Sequence, residues 1–157
     1  QYSETVKLIR ELVPGVSITA DVIVGFPGET DEHFQDTYDL CEKLEFAALH
    51  VFPYSSRPGT SAAHFGEHVS SESRSNRAHE LINMSERQSA KFRYDRFGTV
   101  RSVLWEGRKK VFGEDMWTGL TDDYVRVVTR SDRNLSNQIT LAKLTSQKKS
   151  FVIAEAI

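Results

Sequence analysis

Two short stretches combine residue types that could do chemistry: "DVIVGFPGET" at 21–30 and "LHVFPYSSRPGTSAA" at 49–63. In each, an apolar run ends in a turn containing proline and glycine. Glycine lets a ligand approach the backbone closely, and ligands of parallel α/β sheets gather at the carboxyl ends of the strands. The first turn, with Gly25 and Gly28, is neither GxGxxG nor GxxxxGK[ST], and no lysine follows it. Glu29 and Asp31 would repel a phosphate there. Two readings stay open for it: the wall of a pocket for a neutral or zwitterionic cofactor, and a tight turn alone. In the second stretch, His50 is a candidate ligand or base, or a packed core histidine. Arg57 could pair with a carboxylate or phosphate in fork geometry, or brace its own Pro-Gly loop.

The rest of the chain supplies charge rather than further catalytic clusters. There is one cysteine, Cys41, on an apolar helix stripe, where packing is the expected role. One cysteine makes neither an intrachain disulfide nor a CxxC metal site. The net charge of -2 hides a split. Residues 1–73 carry 4 basic against 12 acidic side chains, and residues 74–110 carry 10 against 4. Such a basic segment is either a polyanion footprint or a solvated helix face.

The elements that must position these residues follow from periodicity. Val6, Leu8, Ile9, Leu12 and Val13 predict a helix over 2–12, ended by Pro14-Gly15. Residues 16–25 predict a strand, continuously apolar from Val22 to Val24 and so expected to be buried on both faces. Thr30 is a candidate N-cap for a helix running to about Glu45. Residues 46–54 predict a second buried strand, parallel to the first in a βαβ unit. A loop covers 55–69 and a long polar, basic helix 71–94. Segments 99–106, 124–130, 137–144 and 150–156 are β-like and separated by turn residues, which predicts a small antiparallel β-barrel. The expected class is therefore α/β followed by all-β.

The 157 residues suit one ordinary domain or two small ones. No apolar run approaches the roughly 20 residues that span a bilayer, and the first residues lack the basic and apolar regions of a secretory signal. The pattern predicts a soluble, cytoplasmic chain without membrane partners. It also predicts a fragment of a longer polypeptide, because the chain begins inside an amphipathic pattern without Met.

"DVIVGFPGET", followed about 20 residues later by "HVFPYSSRPGTSAA", closely resembles the radical S-adenosylmethionine methylthiotransferases, the MiaB-like tRNA-modifying family. "HVFPYS" and "GLTDDYVRV" at 119–127 are most similar to the threonylcarbamoyladenosine branch. There, Leu120 replaces an aromatic residue and Asp123 replaces Asn. The resemblance implies the end of a radical-SAM partial (β/α) barrel at 1–69, a connector helix at 70–97, and a TRAM-like, OB-like RNA-binding β-barrel at 98–157. It implies a cofactor wall for S-adenosylmethionine within 17–66, with Ile23 and Gly25 near the adenine. Val51, Phe52 and Pro53 would offer backbone and apolar contact to the same base, and Arg57 would join the site. The wider GxIxGxxE pattern fits only at Ile23 and Gly25, so Glu29 is read as a cap or loop brace.

The family's CxxxCxxC cysteines, which hold its 4Fe–4S cluster, are absent from these residues. The resemblance therefore places no catalytic or metal-binding residue in this chain and expects no cofactor bound to it alone. On the RNA side, Arg101, Arg108, Lys109, Lys110 and Arg126 are candidate phosphate contacts. Trp117 and Tyr124 are candidate stacking residues, with barrel core as the alternative for each aromatic. Trp105 is expected in the core. The implied reaction adds a methylthio group to C2 of a modified adenosine at position 37 of tRNA. The rivals are a methylthiotransferase acting on a ribosomal protein and a non-catalytic RNA-binding module. The implied partners are tRNA, the missing N-terminal part of the polypeptide, and a second copy pairing at an exposed sheet edge.

Overall fold

A computed structural model describes all 157 residues. The chain forms two compact units, residues 1–89 and 90–157, and the division falls within a single helix.

The first unit contains α1 (Tyr2–Leu12), β1 (Thr19–Val24), α2 (Asp31–Leu44), β2 (Ala48–Pro53), a 3-10 turn at Ser61–His64 and most of α3 (Ser71–Tyr94). β1 and β2 are parallel and pair in register from Thr19↔Ala48 to Val24↔Pro53. α2 starts where the sequence places it. The Thr30 hydroxyl accepts from His33 N at 3.2 Å, and His33 Nδ1 accepts from Thr30 N at 3.3 Å, a reciprocal capping box with histidine in the usual Glu position.

The two strands are not buried on both faces. Ala20, Val22, Leu49 and Val51 pack on a core formed by Val6, Val24, Phe34, Cys41, Leu44, Phe46, Ala78, Leu81 and Met84. Thr19, Asp21, Ile23, His50 and Phe52 alternate onto the opposite face and are exposed. Strand side chains alternate between faces, and all three helices lend buried residues to one core. The continuous apolar run therefore serves two environments, only one of which this chain fills.

α3 reads as a solvated connector, but several of its polar residues fasten the first unit. Ser85 Oγ accepts from Leu49 N at 2.8 Å, Ser89 Oγ donates to Ala47 O at 2.6 Å, and Gln88 Nε2 donates to Cys41 O at 2.9 Å. Buried or half-buried backbone groups need such partners, so α3 adds polar anchors to the narrow apolar face of Ala78, Leu81 and Met84.

The second unit is a closed five-stranded barrel of β3 (Val100–Val111), β4 (Glu114–Thr121), β5 (Arg126–Thr129), β6 (Ile139–Lys148) and β7 (Phe151–Ala156), in the order β3-β4-β5-β7-β6. It is not wholly antiparallel: β5 and β7 pair in parallel, Val127↔Val152 and Val128↔Ile153. The chain leaves β5 through a long loop before the β6–β7 hairpin returns, so β7 runs in the direction of β5.

β4 occupies a segment whose glycines and acids read as turn-rich. It is joined to β3 by Phe112 (φ 55°) and Gly113 (φ 88°), a two-residue hairpin turn with both residues left-handed. The core holds Val103, Trp105, Trp117, Val127, Leu135 and Leu144. Gly119 pairs with Trp105 and leaves room for it. A β-carbon there would stand 2.7 Å from Leu104 O and 2.9 Å from Trp105 Cε3.

Candidate cofactor face and nucleic-acid interface

Both Pro-Gly turns have the same build. Glu29 N donates to Phe26 O at 2.9 Å across Pro27-Gly28, and Thr60 N donates to Arg57 O at 3.3 Å across Pro58-Gly59. Gly28 and Gly59 both have φ of 84° at the third position, the type II arrangement. Each turn therefore requires glycine at that third position for backbone reasons alone. Arg57 itself is exposed.

Gly25 has a different requirement. A β-carbon on it would lie 2.0 Å from Cγ of Arg74, on α3. The close approach is thus made by a side chain of the same polypeptide. Glu29 braces this corner. Its Oε2 accepts from Gly25 N at 2.7 Å and from Arg77 Nη1 at 2.5 Å, while Arg77 Nη2 donates to Asp31 at 2.7 Å. Arg77 is 7% exposed. Burial opposes its charge, but the hydrogen bonds it donates to Asp31 and Glu29, with their Coulombic attraction, hold the guanidinium above its ordinary pKa. The acids that disqualify a phosphate loop in the sequence are consumed in fixing α3 to the strand ends.

The residues expected at the cofactor do not all share one surface. Ile23 and Phe52 are register partners on the open face, 56% and 51% exposed. Asp21 and His50 pair next to them on that face, so His50 is not a core residue. Val51 turns its side chain to the core, leaving only its backbone for the open side. Pro53 is exposed at the end of β2, and Gly25 is buried beneath Arg74. The open face thus offers an apolar pair, Ile23/Phe52, beside a polar pair. It could receive the flat apolar face of a ligand with hydrogen-bonding groups at its edge.

No group of three or more His, Cys, Asp or Glu side chains is placed to hold a metal ion. Cys41 is buried at 4% exposure, and desolvation pushes its thiol pKa up. A thiolate ligand is disfavoured there.

In the barrel unit, Lys109 and Lys110 are exposed on the β3–β4 hairpin. Arg108 donates to Ser131 O at 2.7 Å and lies 5.1 Å from the Trp117 ring centroid. Trp117 is 7% exposed, with Nε1 bonded to Ser131 O at 3.2 Å, so its ring belongs to the core and meets the surface only through Arg108. Arg126 pairs with Glu106. Arg101 is partly buried, 3.9 Å from Asp122 and 3.8 Å from Asp123. Tyr124 is 80% exposed and left-handed, with φ of 63°.

That strained, exposed aromatic sits on a braced loop. Asp123, 8% exposed, accepts from Arg96 Nε at 2.5 Å and from Thr121 Oγ1 at 2.6 Å. Thr121 Oγ1 in turn accepts from Val125 N at 2.8 Å. Arg96 is stacked on Phe92, 3.2 Å from the ring centroid. Sequence reading singled out Asp123 only as a departure from the family's Asn. The charge has a partner in Arg96, 27 residues upstream, a separation at which no local pattern exposes it.

The chain is similar to curated enzymes along nearly all its length. It is 34% identical over 144 residues to the threonylcarbamoyladenosine tRNA methylthiotransferase MtaB of Bacillus subtilis, covering 91% of this chain and 32% of that protein. It is 35% identical over 147 residues to the tRNA-2-methylthio-N(6)-dimethylallyladenosine synthase of Carboxydothermus hydrogenoformans, covering 94% and 33%. With the enzyme of that name from Desulforamulus reducens it is 36% identical over 156 residues, covering 99% and 34%. Over this length the chain is similar to tRNA methylthiotransferases. It spans about a third of the length of these relatives. No family model matches it. No helix is long and apolar enough to cross a membrane.

The residues whose roles the sequence reading does not reveal are Arg74, Arg77, Arg96 and Asp123. The signal for Arg77 was present: a basic residue on the first turns of α3 and two acids beside a Pro-Gly turn. Arg74 leaves no such mark, since its contact is with a glycine.

Proposed function

We propose that this chain is the C-terminal part of a cytoplasmic tRNA methylthiotransferase. Its first unit would be the end of a radical-SAM partial (β/α) barrel and its second a TRAM-like RNA-binding domain. The observation that carries this reading is that similarity to the tRNA-modifying enzymes runs through both units, over 144 to 156 residues.

The open face supports a cofactor role. Ile23 and Phe52 would take the adenine of S-adenosylmethionine, with Val51 and Pro53 lending backbone. S-adenosylmethionine would supply the radical from one molecule and the methyl group from a second. The residues present do not fit an iron–sulfur cluster, because Cys41 is buried in the core. Cluster ligands would come from elsewhere in the polypeptide, and the chain alone would be inactive.

The proposed substrate is threonylcarbamoyladenosine at position 37 of tRNA, modified at C2. The Bacillus subtilis relative's name supports it, as does the "GLTDDYVRV" segment. A second reading, dimethylallyladenosine, is favoured by the names of the other two relatives. Nucleoside mass spectrometry of tRNA from cells with and without the full-length parent separates them. Methylthio-threonylcarbamoyladenosine should vanish without the parent. Loss of methylthio-dimethylallyladenosine would instead establish the second reading, and loss of neither would refute both.

A further inference from the structure

A cleft of about 420 Å³ opens between the end of β2 and the N-terminal half of α3. Its polar lining is Tyr54, Ser55, Ser71, Arg74, Ser75 and His79. Ser71, Arg74, Ser75 and His79 recur at helical spacing, so one face of α3 delivers all four. No carboxylate lines the cleft, although residues 1–73 carry 12 acidic side chains.

Arg74 is set apart from Arg77, one turn later. Arg77 is fully engaged by Glu29 and Asp31. Arg74 is half-buried, its stem rests on Gly25, and its guanidinium makes no ion pair or side-chain hydrogen bond within the chain. The Tyr54 hydroxyl beside it is sequestered from solvent without a hydrogen-bond partner. A half-buried cation needs an anion or water to compensate it, and a fork of guanidinium donors beside hydroxyls suits an oxyanion. The first turn of a 24-residue helix adds favourable dipole potential.

We propose that this cleft binds a phosphate group, with Arg74 as its principal ligand and Ser71, Ser75 and Ser55 as hydroxyl donors. The phosphate is either a phosphodiester of the RNA or that of a small phosphorylated ligand. Only the first source rests on the tRNA reading. Gly25 then has a role in the site: it admits the Arg74 stem and so fixes the guanidinium at the strand ends.

The test is a titration of the isotopically labelled chain with inorganic phosphate, following the amide resonances of residues 71–79 at constant ionic strength. Saturable shifts at Ser71, Arg74 and Ser75 are expected, with chloride giving none. Arg74→Gln should abolish them. So should Ser75→Glu, an exposed helix position that brings a carboxylate to the cleft without touching the core. Absence of saturable shifts, or their survival in both variants, overturns the proposal.

A tRNA arm identifies the source. Losing one phosphodiester contact lowers the slope of log affinity against log salt by about 0.7–0.9. That change in Arg74→Gln assigns the site to RNA. An unchanged slope with phosphate binding lost assigns it to a small phosphorylated ligand. A wild-type chain that binds phosphate but not tRNA refutes the nucleic-acid reading and leaves the site standing.

Discussion

The aliphatic stem of Arg74 rests on the α-carbon of Gly25, so closely that a β-carbon on the glycine would stand 2.0 Å from Arg74 Cγ. The Gly-Phe-Pro-Gly turn is therefore shaped by the helix that crosses it as much as by any ligand. Gly25→Ala meets this contact and a φ of 73° together. It should destabilise the first unit by about 2–4 kcal/mol, read from denaturant unfolding. Adding Arg74→Ala should recover the contact part and leave about 1–2 kcal/mol of backbone cost. Equal destabilisation in single and double variants would show that the contact does not matter.

Gly119 answers to packing rather than backbone angle. Gly119→Ala should cost about 1–3 kcal/mol, because the added carbon meets Leu104 O at 2.7 Å and Trp105 Cε3 at 2.9 Å. Tryptophan fluorescence of the barrel should shift along with the unfolding midpoint. A neutral substitution with unchanged fluorescence would contradict the packing described for Trp105.

Cys41 gives the first unit an alkaline limit. Desolvation raises its thiol pKa above the ordinary value, so the folded state resists losing that proton. The stability this contributes is complete below the unfolded-state pKa, about 8.5. It is lost as pH rises through the higher folded-state pKa. Denaturant midpoints should therefore fall above about pH 8.5, and Cys41→Ala should flatten that decline. A decline of the same depth in the variant would assign it to other groups.

Tyr124 combines a left-handed backbone with an 80% exposed ring. Tyr124→Gly should relieve about 1 kcal/mol of backbone strain and raise the melting temperature of the barrel. It should also weaken tRNA binding by about 1–3 kcal/mol if the ring stacks on a base. Opposite signs in the two measurements are the signature of a residue held for contact. A melting temperature and an affinity that fall together would make Tyr124 a structural residue.

How much of this was legible depended on whether the cause was local. α1, α2 and α3 follow from Pro14-Gly15, the Thr30 cap and helical spacing, and the parallel strand pair from two apolar runs flanking a helix. β4 was obscured because its strand character comes from the barrel around it. Gly119 is required by Trp105 across the ladder, and the turn uses Phe112-Gly113 where Asn-Gly would have been recognisable. The open face of β1 and β2 could not be read from Val22-Ile23-Val24, since such a run suits either one covered face or two. Ile23 and Phe52 were named from resemblance, and their register shows them as neighbours. The pairings of Arg74 with Gly25 and of Arg96 with Asp123 join residues distant in sequence, and no periodicity announces them.

Under the proposed function this chain carries the tRNA grip of a methylthiotransferase, with exposed cations in residues 90–157 supplying much of it. The most direct test is the affinity of the 157-residue chain for tRNA as a function of salt. Log affinity is predicted to fall linearly with log salt, with a slope of about -2 to -4.5 for three to five phosphate contacts, and to weaken when Lys109 and Lys110 are both changed to Gln. Absent binding, or binding indifferent to salt and to that double substitution, would contradict the account.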